Sequence, residues 1–165
     1  MHRKIANVLF VSDENQCRSL LAEACLNHLG QGKLKAFSCG VPDQVTGDPF
    51  GWTLLALQTA GIPAHNLRSK PWTDFTRSGA PKMDFVVALD QETLPLHPPW
   101  PGQPVTALWD YSHVEAGTKN RNSVGSAAVL TLLSLRRRIE LLVCLHARGK
   151  TRADLQHDLQ DLAHV

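Results

Sequence analysis

The sequence predicts an α/β protein, a three-layer sandwich around a central four-stranded parallel sheet. Short apolar runs at Ile5–Val11, Leu34–Ser38, Phe85–Leu89 and Val105–Trp109 alternate with stretches of helical period. The first run, its loop, a helix and the second run also make a β-loop-α-β unit, for which parallel pairing with a right-handed crossover is the rule.

The opening "MHRKIANVLFV" is basic and then apolar, as a leader peptide is. Its apolar run is short and interrupted by Asn7, and it meets Ser12-Asp13-Glu14 with no small-residue cleavage site, so it reads as strand 1. Leu20 to Leu29 is helical by period, with Leu20, Leu21, Ala24, Cys25 and Leu29 on one face, Ser19 as a candidate cap and Gly30 at the C-terminal end. Asp48-Pro49 is expected to cap and open a second helix, running through "FGWTLLALQTA" to Gly61. The segment "HPPWPGQP" cannot join a ladder because its prolines lack N–H groups. Ser126 to Leu145 reads as a long helix. Thr151 with Asp154 resembles a capping box before a terminal helix whose Leu155, Leu159 and Leu162 share a face.

The 165 residues suit a single domain, 1–165. With 43% hydrophobic and 19% charged residues the chain reads as globular. A net charge of +2 is too small for a nucleic-acid footprint, and Arg136-Arg137-Arg138 reads as a solvated helix face. Cys17, Cys25, Cys39 and Cys144 form no C-x-x-C pair, and the eight histidines lack metal-ligand spacing, so neither a metal nor a cofactor is expected. No segment approaches the ~18 apolar residues of a membrane span. The cytoplasm is the expected compartment.

The chemistry concentrates in "VLFVSDENQCRSLLAEA", residues 8–24, where a strand runs through a polar loop into a helix. In open parallel sheets, ligands bind beyond the carboxyl ends of the strands. A helix N-terminus there offers free N–H groups and partial positive charge to an anion. Arg18 adds a fork of donors, Asn15 suits the left-handed turn of a tight cradle, and Ser12 can donate a hydrogen bond. The candidate anion site is therefore Ser12, Asp13, Glu14, Asn15, Gln16, Cys17, Arg18 and Ser19, with phosphate, sulfate or a related oxyanion as ligand and a phosphorylated protein as a possible source of it. Asp13 and Glu14 oppose a dianion unless they point into water.

This stretch resembles the phosphate-binding loop of the low-molecular-weight protein tyrosine phosphatases and thioredoxin-coupled arsenate reductases, V-C-x-x-N-x-x-R-S followed by x-x-A-E. Asn15, Arg18, Ser19, Ala22 and Glu23 fit, and Cys17 matches a second loop cysteine of many of the phosphatases. "FSCGVPDQVTGDPFGWTLLALQTAGI", "LRSKPWTDF", "PPWPGQPVTALW" and "LRRRIELLV" resemble later segments of the family in the same order.

The departures from the family pattern bear on function. Ser12 stands at the position of the nucleophilic cysteine, and a hydroxyl is a poor nucleophile without an adjacent base. The family's D-P pair, which supplies the acid, is missing from "LWDYSHVEAG", leaving Asp110 or His113 as substitutes. The redox cysteines of the reductases are absent from "VVALDQETLPLHPPW". Cys25, Cys39 and Cys144 read as structural, the two helical ones, Cys25 and Cys144, as core residues. Cys17 is the one thiol in the loop, and Ser12 stands where its expected disulfide partner would be.

The leading expectation is an oxyanion-binding member of the superfamily, impaired in catalysis and not a working arsenate reductase. The alternative is an active phosphatase whose nucleophile has been exchanged from cysteine to serine. A nucleotide or small-metabolite module is disfavoured because residues 12–19 contain no glycine. Arg68 is expected to line the approach or form a surface ion pair, and Trp100 and Trp109 to fill the core or wall the pocket.

Overall fold

The computed structural model describes residues 5–111, 121–149 and 152–165. Four strands, β1 (Ala6–Val11), β2 (Leu34–Cys39), β3 (Phe85–Ala88) and β4 (Val105–Leu108), form one parallel sheet in the order β2-β1-β3-β4. The helices are α1 (Arg18–Leu29), α2 (Gly51–Thr59), α3 (Arg121–Ala147) and α4 (Arg152–Asp161). This is the predicted α/β architecture.

β1 is central, so its side chains are buried on both faces and its run is apolar without alternation. Val8 and Phe10 pack with Leu21, Leu57, Leu135, Ile139 and Leu159, beneath the helices. Leu9 and Val11 face the other way, against Trp72, Phe75, Val86 and Trp100. That second layer is built from irregular chain and a short 3-10 turn, Trp72–Phe75. Trp100 and Trp109 are both core residues, and the Trp109 indole N–H donates to Leu159 O at 2.9 Å. No helix among the described residues is long and apolar enough to cross a membrane.

Chain order places the functional loop. β1 connects to β2 on one side while its other neighbour, β3, connects to β4 on the opposite side, so the two connections diverge and open a crevice at the carboxyl ends of β1 and β3. The 12–17 segment leaves β1 at that point, and Leu89-Asp90 leaves β3 beside it, with Leu89 N–H bonded to Val11 O at 2.8 Å.

Several expected details change. α2 starts at Gly51 with Phe50 as cap and no side-chain cap bond, so Asp48 and Pro49 precede the helix. The Phe50 N–H and the Thr53 hydroxyl both bond Gln16 O, which holds this chain to the loop until the helix begins. α3 begins at Arg121, five residues before Ser126, because a polar first turn carries no apolar period to read. Gly30 ends α1 with φ −73°, and glycine is needed there because a Cβ would lie 2.7 Å from Leu34 O. Thr151 of the expected capping box lies outside the described residues.

The arginine run is not a solvated face. Arg137 is exposed, but Arg138 is buried on the same side of α3 as Leu135, Ile139 and Leu142. Its guanidinium lies 4.9 Å from the Tyr111 ring and 5.9 Å from the Trp109 ring, and Nη2 donates to Ala163 O at 3.0 Å. Cys144 falls off that side and is exposed, so it is not a core residue.

His97 packs edge-on between Trp72 and Trp100, and burial lowers its pKa to about 4. The unfolded chain takes up this proton near pH 6.5, the folded chain only near pH 4, so stability falls as pH drops across that interval. A His97→Phe variant is expected to show a smaller loss of Tm between pH 6.5 and 4 than the unaltered chain, measured by thermal unfolding at a series of pH values. Parallel curves would remove His97 as the cause.

Candidate anion-binding site

The loop after β1 is held from below by one residue. Asn15 is fully buried with φ +54°, the left-handed conformation its sequence position suggests. Its Oδ1 accepts the Lys70 backbone N–H at 2.9 Å. Its Nδ2 donates to Ser19 Oγ at 2.6 Å and to Ser38 Oγ at 3.0 Å. Ser38 in turn donates to Glu23 Oε1 at 2.9 Å, and the buried Lys70 ammonium sits 3.3 Å from the same oxygen. Side chains from the loop, α1, β2 and the "RSK" segment thus form one hydrogen-bonded chain.

Ser12 is the last link. Its Oγ lies 2.6 Å from Ser19 Oγ, and its N–H donates to Cys39 O at 3.2 Å. Because Asn15 donates to Ser19, the arrangement in which each hydroxyl both donates and accepts has Ser19 donating to Ser12. The Ser12 proton is then free to face a ligand. In either direction the partner is a hydroxyl: no histidine or carboxylate bonds Ser12 Oγ among the described residues.

Gln16 ties the loop sideways, its Nε2 donating to Asp48 O at 2.8 Å. Gly40 allows the close approach of β2's continuation: a Cβ there would lie 2.7 Å from Asp13 O and 3.1 Å from Asn15 Cβ. α1 begins at Arg18 with Cys17 as cap and no side-chain cap bond, so Ser19 does not cap the helix; the Ser12–Asn15 chain takes its hydroxyl instead. The backbone N–H groups of Asn15, Gln16 and Ser19 find no acceptor among the described residues, leaving donors of the kind an anion requires.

Arg18 is buried, and its Nη2 meets two carboxylates: Asp13 Oδ1 at 2.9 Å and Asp90 Oδ2 at 3.3 Å. Asp90 is only 2% exposed and accepts the N–H groups of Asp13, at 3.0 Å, and of Thr93, at 3.2 Å. Burial pushes its carboxyl pKa up, while the Thr93 bond and the Arg18 charge pull it back. Asp13 does not simply point into water, because the nearby guanidinium captures it. Glu14 is exposed.

Of the predicted residues, Ser12, Asn15 and Ser19 are joined by hydrogen bonds and Asp13 pairs with Arg18, while Gln16 turns to Asp48, Cys17 caps α1 and Glu14 is exposed. Asp110 stands at the same edge of the sheet, half-buried between Trp109 and Tyr111, whose N–H groups bond Ala88 and Leu89 at the end of β3. His113 lies outside the described residues. Arg68 is exposed and pairs with Asp74 at 3.5 Å, the surface reading. Cys17 is buried, as are Cys25 and Cys39, whose thiol pKa values burial raises, Cys25 to about 11. Among the described residues no group of three or more His, Cys, Asp or Glu is arranged to hold a metal.

Sequence reasoning missed the roles of Asp90, Ser38 and the Glu23–Lys70 pair. Asp90 had a positional signal, since it directly follows a strand at the ligand-binding edge of the sheet.

Residues 7–119 match the model of the low molecular weight phosphotyrosine protein phosphatase family. The chain belongs to this family. A curated relative, the glutaredoxin arsenate reductase of Synechocystis sp. (strain ATCC 27184 / PCC 6803 / Kazusa), is 29% identical over 102 residues, covering 62% of this chain and 73% of the relative. Among solved structures, an arsenate reductase in its phosphate-binding state superposes with a TM-score of 0.66 at 23% identity, covering 85% of this chain and 98% of that one. YfkJ from Bacillus subtilis gives 0.63 at 19% identity, covering 90% and 98%. A cysteine-to-serine mutant of the YwlE arginine phosphatase, carrying a phosphorylated active-site serine, gives 0.62 at 19% identity, covering 87% and 97%. At these identities the structural likeness supports the fold, and the family match adds the loop's ancestry.

Asn15→Ala removes three buried hydrogen bonds and puts a Cβ-bearing residue with no compensating bond at positive φ. We expect a loss of about 3 kcal/mol or more in urea unfolding, with Asn15→Gly recovering about 1 kcal/mol of it by relieving the backbone alone. Equal losses would mean that the left-handed conformation costs nothing here.

Proposed function

We propose that this family member binds a tetrahedral oxyanion, phosphate or a phosphate ester, in the 12–19 loop, and that with Ser12 it does not turn the ester over at the rate of a thiolate enzyme. The observation that carries the second half is the Ser12 environment. Its oxygen meets a serine hydroxyl, and no base among the described residues bonds it to take its proton. Loss of the nucleophile from a catalytic unit costs on the order of a millionfold. The first half rests on the open backbone donors and on Arg18. It is supported by the phosphate-binding state of the arsenate reductase with this fold, and by the phosphorylated serine in the YwlE mutant.

A working arsenate reductase is not proposed, because the further thiols for passing on oxidation are absent from 86–100. A phosphorylated protein is the proposed physiological source of the anion. None of the four cysteines is in a disulfide, which accords with a reducing compartment, and the proposal places the protein in the cytoplasm.

The competing reading is an active phosphatase with serine exchanged for cysteine. In that case a thiolate in place of the Ser12 hydroxyl would attack phosphorus, the ester oxygen would leave with a proton from Asp110, and water would release phosphate from sulfur. Phosphate titration by calorimetry is expected to show binding to the unaltered chain and at least a tenfold loss in Arg18→Ala, whose charge-assisted bonds are gone. Equal affinities would remove the pocket. Ser12→Cys, assayed on an aryl phosphate, separates the two readings: restored hydrolysis favours the exchanged nucleophile, while phosphate binding without hydrolysis favours a binding protein.

A further inference from the structure

The Asp13 carboxylate makes the bonds a ligand oxygen would make. Its Oδ1 accepts the Glu14 backbone N–H at 2.7 Å and Arg18 Nη2 at 2.9 Å, one loop amide and one guanidinium hydrogen. Asp13 is also the half-exposed partner of Arg18, with its side chain 41% accessible, whereas Asp90 on the same Nη2 is 2% accessible and pinned by two backbone N–H groups. Of the two carboxylates, one is fixed and the other can leave.

We propose that Asp13 is a built-in ligand of the loop, displaced by tetrahedral oxyanions, and that it decides which anions the site admits. This rests on the oxyanion reading above. With Asp13 and Asp90 both on Arg18, the guanidinium is already more than neutralised, and an incoming anion meets net negative charge. It binds only by taking over the two donors that Asp13 holds. A planar carboxylate replaces those two bonds like for like and gains nothing. A tetrahedral oxyanion has further oxygens for the N–H groups of Asn15, Gln16 and Ser19, which lack an acceptor among the described residues. The exchange therefore favours phosphate-like anions over carboxylates, although a guanidinium binds both well. Once released, Asp13 rotates into solvent at the rim while Asp90 keeps Arg18 oriented.

The experiment is calorimetric titration with inorganic phosphate of the unaltered chain, Asp13→Asn and Asp43→Asn, together with acetate titration of Asp13→Ala. Asp13→Asn is expected to bind phosphate about tenfold more tightly, the scale of one charge-assisted hydrogen bond that no longer competes. Asp43→Asn, which removes an equal charge from an exposed residue outside the loop, two positions past Val41, whose N–H bonds Asp13 O, is expected to change affinity no more than about threefold, since exposed charges are screened. Acetate is expected to bind Asp13→Ala, where it can fill the vacated position, and not the unaltered chain. Similar gains in Asp13→Asn and Asp43→Asn would reduce the effect to net charge and overturn the proposal, as would flat affinities with no acetate binding to Asp13→Ala. Absence of phosphate binding in every variant would overturn the oxyanion reading and this inference with it.

Discussion

The site depends on the side-chain amide of Asn15. A loop that turns back on itself beneath a helix N-terminus must put one residue in the left-handed region and must satisfy the polar groups it buries. Asn15 does both: it adopts φ +54° and spends its amide on Lys70, Ser19 and Ser38. Since the Glu23–Lys70 ion pair lies at the far end of the same chain of bonds, the shape of the loop is set from inside the protein. Buried ion pairs are expensive to break by removing one partner, so this support is rigid even where its net contribution to stability is small.

The loop is thereby left with the N–H groups of Asn15, Gln16 and Ser19 without an acceptor among the described residues, and with Arg18 shared between two acidic neighbours. Such an arrangement suits holding charge more than moving protons. A thiol would ionise among those donors, but an alcohol would need a base, and the hydrogen-bond partner of Ser12 Oγ among the described residues is another alcohol. Family membership brings the fold to this chain, while the proposed loss of turnover turns on the hydroxyl at position 12 and on the missing D-P pair.

Much of the fold was legible because it rests on local pattern. Short apolar runs marked the strands, and the β-loop-α-β order implied a parallel sheet with its ligand edge at residues 12–19. What depends on tertiary packing was not legible. Arg138 sits in a charged run yet is buried, because α3 turns that position toward Tyr111 and Trp109. Cys144 was expected in the core and lies outside it, two positions past the buried Leu142. Asp48 and Pro49 have the chemistry of a helix start, but bonds to Gln16 delay the helix to Gly51. At the site, residues adjacent in sequence were found, whereas Ser38 and Lys70 reach it from other elements with no local spacing to point to them, and Asp90 had only its place after β3 as a signal.

The position of Ser12 within the bonded chain has a wider consequence. It is a terminus, its hydroxyl hydrogen-bonding Ser19 alone among the described residues, so the bonded chain is complete one residue before position 12. Sulfur or oxygen can occupy that place without disturbing what folds the loop. On the proposed reading, the residue at position 12 is separable from the assembly of the loop, and it can change while the bonded chain beneath persists.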